Sequence, residues 1–201
     1  MELTKLFEMQ KVLGEHIEKE HPRVKGEDRF AKKVLALQTE IAECANEWRG
    51  FKFWSKDREP RNYYPNPNDS CVKCAGQGYH NSHLDMKDWI FCEECDGCGI
   101  QFYNPLLEEY VDCLHLILSI GLEIGKEYFY FEPMVKKEED ITSQFIVLFH
   151  YVYLITEDNY CSELFTSFVY LGEMLGFTWE QIEQAYFDKN EINHARQQNG
   201  Y

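Results

Sequence analysis

The sequence predicts an all-α protein, a helical bundle of about six helices interrupted by one small cysteine-rich insertion. Three observations carry that expectation. Outside residues 50 to 104, apolar residues recur every three to four positions, the period of one helix face. No segment there alternates at the period of a strand, and the periodic stretches are joined by short connections. The only internal repeat is a Cys-x-x-Cys-x-Gly-x-Gly word at Cys71–Gly78 and again at Cys92–Gly99. The expected division is therefore residues 1–56 and 104–201 as one all-α domain and 57–103 as an inserted segment.

The elements follow in chain order. Leu3, Leu6, Met9 or Gln10, Leu13 and Ile17 define a first amphipathic helix that stops before His21-Pro22. A second runs from about Asp28 to Trp48, with Phe30, Val34, Leu37, Ile41, Cys44 and Trp48 as its apolar stripe; Glu40, Glu43 and Glu47 share a neighbouring face. Gly50 and a stretch containing Pro60, Pro65 and Pro67 lead into the insertion. Asn104-Pro105 restarts the helix as N-cap and first helical residue, and the pattern continues to about Ile124-Gly125. Residues 126–139 are charged and irregular. An apolar helix from about Ile141 to Ile155 follows, then one from Ser162 to Leu175 ending at Gly176. Thr178-Trp179-Glu180-Gln181 has capping-box spacing and opens the last helix, directed toward Gly200.

The repeated word has the spacing of a zinc site. Two thiolates two residues apart grip one metal from a tight knuckle, the glycines turn the chain beneath the sulfurs, and two knuckles complete a tetrahedral shell. The ligands are Cys71, Cys74, Cys92 and Cys95, with Cys98 as a spare thiol. The pair resembles the cysteine-rich region of DnaJ-type chaperones over residues 71 to 99. A filled four-thiolate shell has no open position, so the expected role is a structural Zn²⁺ and a zinc-stapled insertion. The competing reading is a disulfide pair in a secreted protein. Against it, no N-terminal apolar region marks a signal peptide, and Cys44, Cys113 and Cys161 fall in helical patterns as small buried residues of a reduced, cytoplasmic chain.

Composition narrows the function classes. The chain has 201 residues, 35 acidic against 20 basic, for a net charge of −15. That balance argues against a nucleic-acid binder, which needs a basic face. Residues 71 to 99 are themselves net acidic, with Lys73 and Lys87 against Asp85, Asp88, Glu93, Glu94 and Asp96. No apolar run approaches the roughly 20 residues of a membrane span. A small phosphorylated substrate is not excluded, because carboxylate clusters bind divalent cations and those bind phosphates.

Glu40-Ile41-Ala42-Glu43 and Glu109-Tyr110-Val111-Asp112 each place two carboxylates three apart, on one side of a helix. Such pairs are common on solvated faces of an acidic protein. These two lie inside apolar stretches, Leu37 to Cys44 and Leu106 to Leu118; if the two helices lie antiparallel across the insertion the four acids converge, and in a bundle interior they would then require cations. On the last helix Lys189, Asn193 and Arg196 are spaced i, i+4, i+7 and offer an ammonium, an amide and a guanidinium on one face. The plain alternative is a solvated C-terminal helix.

At these residues the sequence resembles the all-α nucleotide pyrophosphatases, the superfamily of MazG and the dimeric dUTPases. Glu40-x-x-Glu43 with Glu109-x-x-Asp112 is similar to their metal motif. The wider words, Glu40 to Lys56, Leu107 to His115 and Tyr186 to Tyr201, look like the dimeric dUTPase branch. The resemblance covers most of the chain outside about residues 57–103, and the zinc knuckles depart from it.

The resemblance implies Mg²⁺-dependent hydrolysis of dUTP to dUMP and pyrophosphate, with dUDP as a further substrate, by a homodimer. Glu40, Glu43, Glu109 and Asp112 would be catalytic and hold two or more Mg²⁺ ions, with Glu43 also orienting water and Glu47 in support. Gln10 would read the base; Lys52, Lys56, Lys189, Asn193 and Arg196 would grip phosphates. Trp48 and Phe51 would wall the nucleoside or join the core, and His115 would pack beside the metal helix. The apolar helix at 141–155 would supply the isologous dimer face. The competing readings are a dCTP or broader nucleotide pyrophosphatase and, from another class, a zinc-stapled interaction module without catalysis.

Overall fold

A computed structural model of the chain describes residues 3–81, 85–157 and 160–200. It divides into two compact units, residues 1–60 with 107–201, and residues 61–106. The described residues form six α-helices: α1 (Leu3–Glu20), α2 (Arg29–Trp48), α3 (Pro105–Glu123), α4 (Ile141–Leu154), α5 (Cys161–Met174) and α6 (Trp179–Gln198). Four short strands lie between α2 and α3 in the chain, and the fold class is the all-α bundle with a small insertion.

Local chemistry sets most helix ends. The Asp28 side chain accepts from Ala31 N and caps α2, and Asp140 accepts from Ser143 N to cap α4. Each such cap contributes about 1 kcal/mol. Thr178 and Gln181 make both reciprocal bonds of a capping box at the start of α6. Helix α2 ends one residue before the expected breaker: Arg49 itself adopts the left-handed conformation, φ 63°. Gly50 is required for a different reason, since a Cβ there would lie 2.3 Å from the Trp48 ring.

The core of the helical unit is built from the predicted stripes. Leu6 and Leu13 of α1, Leu37, Ile41 and Cys44 of α2, and Leu114, Ile117 and Leu118 of α3 are all essentially inaccessible. Each fully buried Leu or Ile contributes about 1.5–3 kcal/mol. Tyr110 stacks on Phe168 of α5 at 4.1 Å, and its hydroxyl donates to the Phe168 carbonyl at 3.0 Å. Gly172 leaves room for that ring, because a Cβ would meet the Tyr110 hydroxyl at 2.4 Å.

The irregular stretch 126–139 is tied down rather than loose. Phe129 sits edge-on to Phe7 at 4.9 Å, and the Glu132 amide donates to Thr166 Oγ1. Gln144, wholly buried in α4, donates to the Ser167 carbonyl and accepts from the Glu138 amide, so its polar groups cost little. Among the described residues no helix is long and apolar enough to cross a membrane.

In the smaller unit β1 (Tyr64–Ser70) pairs antiparallel with β4 (Ile100–Tyr103), and β2 (Tyr79–His80) with β3 (Ile90–Phe91). Tyr63 stacks on Phe102 at 4.2 Å and Tyr79 on Trp89 at 4.1 Å. These ladders were not legible as strand-period runs, since β2 and β3 have only two residues each.

Candidate functional site

The two knuckles are near copies. Gly76 N donates to the Cys71 carbonyl and Gly97 N to the Cys92 carbonyl, both at 3.1 Å. Gly78 N donates to Cys74 Sγ at 3.1 Å and Gly99 N to Cys95 Sγ at 3.3 Å. They interlock through Cys71 N to the Gly99 carbonyl and Cys92 N to the Gly78 carbonyl, both 2.9 Å. Gly78 and Gly99 have φ 79° and 76°, and a Cβ on either would lie within 2.4 Å of the other knuckle's backbone.

Cys71, Cys74, Cys92 and Cys95 are buried, and their sulfurs all lie within 4.8 Å of one another. The Cys71–Cys92 and Cys74–Cys95 sulfur pairs are 3.8 Å apart. Disulfide sulfurs would be about 2.0 Å apart. A tetrahedron of Zn–S bonds of about 2.3 Å requires about 3.8 Å. The four cysteines therefore fit zinc. Cys98 is exposed and its thiol turns to the Ile100 carbonyl at 3.8 Å, outside the group.

In the helical unit α2 and α3 bring three carboxylates together. One oxygen each from Glu40, Glu43 and Glu109 lies within 4.8 Å of the others. Burial, reinforced by the charges of Asp112 and Glu43, pushes Glu40 up to about 7. Burial and then Asp112, Glu40 and Glu43 push Glu109 to about 7 as well. Acids held so far above the ordinary carboxylate range are a destabilising arrangement that a hard divalent cation relieves, and an all-oxygen donor set suits one.

Asp112 stands apart from that trio. Its Oδ2 is 2.7 Å from Lys189 Nζ of α6, which also reaches Glu108 Oε1 at 2.8 Å. Burial raises Asp112, with the Lys189 hydrogen bond opposing it. Burial alone would lower Lys189, but its bonds to Asp112 and Glu108 outweigh this and hold it above its ordinary value. Lys189 is thus 7% exposed and committed to carboxylates, not open to solvent. Glu108 carried no sequence signal, because it sits outside both i,i+3 pairs.

Glu40 and Asp112 line an open cavity of about 350 Å³ together with Gln10, His115, Asn193 and Arg196. Gln10 and His115 are joined by a 2.8 Å bond between Gln10 Oε1 and His115 Nδ1. The Tyr186 hydroxyl donates to the same oxygen at 2.8 Å, and the Tyr186 ring stacks on His115 at 4.0 Å. Tyr186, which the sequence showed only as part of a family word, thus packs against both of them.

The remaining expected residues sit at and just beyond the end of α2. Trp48 packs on Phe145 of α4 at 5.6 Å and, with Phe51, lines a second, apolar cavity of about 310 Å³. Lys52 Nζ is 3.5 Å from the Asn46 carbonyl, Lys56 is exposed, and Glu47 is half-buried one turn beyond Glu43.

A helical bundle that gathers carboxylates from two helices beside a polar cavity has the makings of a divalent-cation site. Comparison with known families makes the class specific: the dUTPase family, of all-α type, matches residues 2–63 and 101–201, and the chain belongs to it. That family is one of dUTP diphosphatases, so the protein is a hydrolase whose substrates are deoxynucleotides. The unmatched interval, 64–100, carries both zinc knuckles. No curated protein matches the chain.

Proposed function

We propose that the protein hydrolyses dUTP to dUMP and pyrophosphate in a Mg²⁺-dependent reaction at the cavity lined by Glu40 and Asp112. The observation that carries this reading is the convergence of Glu40, Glu43 and Glu109 oxygens within 4.8 Å beside a cavity that also presents Gln10, Asn193 and Arg196. Glu40, Glu43 and Glu109, with Asp112, are the residues that would hold two or more Mg²⁺ ions. Bound there, the ions supply charge neutralisation on the triphosphate and activation of water.

The chain's own residues do the rest. Glu43, the most open of the three, orients the attacking water. Arg196 and Asn193, on one face of α6, take phosphate oxygens, with Lys52 and Lys56 as further phosphate contacts. Lys189 acts through Asp112, holding that carboxylate charged and in place. Gln10 reads the base. The zinc segment stays structural. We further take the protein to act as a homodimer in the cytoplasm, with α4 as the isologous face, where Ile146 is 64% exposed beside the apolar cavity.

A hydrolysis panel of the purified full chain with all common nucleoside triphosphates and Mg²⁺, run in ¹⁸O-water, tests the reading. The expected result is a dUTP preference with label in dUMP, or less readily in pyrophosphate. A preference for dCTP would reassign the base and leave the carboxylate site standing. Label in orthophosphate released from the γ position would defeat the pyrophosphohydrolase reading.

A further inference from the structure

Helices α1 and α6 meet at a pair of histidines outside the carboxylate group. His16 Nδ1 and His194 Nδ1 lie 2.9 Å apart, with the ring planes at 21° and the ring centroids 5.2 Å apart. A centroid separation of 5.2 Å is about as large as a 2.9 Å contact between two ring nitrogens permits, so the rings lie end to end rather than face to face. Each Nδ1 then points at the other, the alignment of an N–H···N hydrogen bond. Both residues are partly exposed, so water can exchange protons with them.

Such a bond holds one proton between the rings, whichever ring owns it. In the neutral pair one Nδ1 donates, the other accepts, and the accepting ring carries its own proton on Nε2. A first added proton goes to the free Nε2 of the donating ring and strengthens the bond by charging its donor. A second has only the accepting Nδ1 to occupy, which sets two N–H groups and two positive charges head to head. The pair therefore titrates as a unit in two separated steps. Burial first, and then the His16 charge, push His194 below its ordinary value. The ionisable residues adjacent to the pair or one turn from it, Glu15, Lys19 and Glu20 on α1 and Glu191 on α6, are all exposed. Across the cavity α2 and α3 present Lys33, Glu40, Asp112 and His115, none of which offsets that push.

The pair sits at the rim of the cavity. Ile17, next to His16, and Asn193, Arg196 and Gln197, around His194, all line it. The buried residues of α6 are Ile182, Tyr186, Lys189 and Asn190, so from residue 191 onward the helix has no buried anchor. Its closing turns carry Asn193 and Arg196, and the bond between His16 and His194 ties them to α1. We propose that His16 and His194 are a one-proton clasp, positioning residues that hold the closing turns of α6 against α1 and release them when a second proton enters. As a device acting on Asn193 and Arg196 it rests on the nucleotide reading above. A proton refused by the closed pair is accepted by the opened one, so the clasp is closed above about pH 6.5 and is lost as pH falls below it.

Hydrogen exchange of the full, zinc-loaded chain tests this, with the protection of residues 191–198 compared at about pH 7.5 and about pH 5 after correction for intrinsic rates. In the wild type that protection should fall about tenfold or more at the lower pH, the loss of one hydrogen bond, while residues 182–190 keep theirs. His16→Asn places an amide near the Nδ1 position, and its oxygen accepts from a protonated His194, so the clasp should stay closed at both pH values. His16→Leu should leave it open at both. Between the same pH values the KM for dUTP should rise about threefold more in the wild type than in His16→Asn, with kcat changing equally in the two. Wild-type protection that does not depend on pH, or that falls equally in His16→Asn, overturns the clasp. Equal changes of KM in the two proteins overturn its hold on Asn193 and Arg196. Acid opening of α6 in a protein unable to hydrolyse dUTP would sink the proposed reaction alone. Hydrolysis of dUTP with α6 protection flat across pH would sink the clasp alone.

Discussion

Lys189 Nζ lies 2.7 Å from Asp112 Oδ2, and together with its 2.8 Å bond to Glu108 this ion pair connects α6 to the acidic face of α3. It places a buried positive charge next to a group of acids that repel one another, Asp112 being the carboxylate that acts most strongly on Glu40 and Glu109. In this structure the ammonium expected to meet phosphate bonds Asp112 and Glu108.

Removing that ammonium should be expensive. Lys189→Met leaves Asp112 and Glu108 facing each other without compensation, and breaking a pair this buried costs about 3 kcal/mol. Asp112→Asn should cost less than half as much, because Lys189 keeps Glu108 and one repulsive charge disappears. Urea unfolding of the two single variants and the double variant measures the difference. Equal losses would show that Lys189 contributes packing and not charge balance.

Glu43→Gln and Asp112→Asn should each lower dUTP turnover by about 100-fold or more while the far-ultraviolet circular dichroism stays helical. Magnesium titration should show weaker activation in both. Near-normal Mg²⁺-dependent hydrolysis in both variants would remove the four carboxylates from the mechanism.

The raised acids predict a pH signature in the absence of added Mg²⁺. Glu109 goes from an ordinary value of 4.5 to about 7 in the folded state, so the native protein binds that proton more tightly than the unfolded chain. Its favourable contribution is complete below about pH 4.5 and is lost as pH rises through 7. Glu109→Gln escapes the loss. Its stability relative to wild type should be unchanged at pH 4.5 and grow by about 1–2 kcal/mol by pH 8, a figure reduced for the half-exposed position. Taking the variant minus the wild type cancels groups that Glu109 does not act on, including His115, whose depressed value acts in the opposite direction, while its neighbour Glu40, relieved of one charge, adds to the difference in the same sense. A pH-independent difference would mean that the burial of Glu109 is relieved by local opening. Added Mg²⁺ should reverse the order by stabilising only the wild type.

Zinc should be present at about one ion per chain, holding residues 61–106 in place without entering the chemical step. Cys74→Ser should lower the zinc content and raise hydrogen exchange across that segment. Gly78→Ala should do the same with all thiols intact, because its φ of 79° and the Gly97 carbonyl 2.2 Å from the added Cβ leave no room. Elemental analysis finding no zinc in chelator-free protein would refute the assignment. A metal exchange that altered turnover with the helices intact would give the zinc a chemical role.

The sequence alone determined what depends on near neighbours. Helical periodicity, the Asp28 cap and the Thr178–Gln181 capping box are local, and they located α2 and α6 to within a residue or two. The four clustered cysteines were legible because each knuckle is written in eight consecutive residues, and Cys98 could be set aside by its place in that word. Glu40, Glu43 and Glu109 were legible from i,i+3 spacing inside apolar stretches. What required the tertiary structure was pairing across elements far apart in the chain. The bonds of Lys189 to Glu108 and Asp112 could not be read from its own helix, because those partners lie some 80 residues earlier. That Trp48 packs against Phe145 of α4 and, with Phe51, lines an apolar cavity was likewise not readable from α2 alone. The donor or acceptor sense of Gln10 is unreadable from any local pattern, since an amide can turn over freely. Only the tertiary structure brings Tyr186 of α6 and His115 of α3 to the same atom of Gln10 on α1.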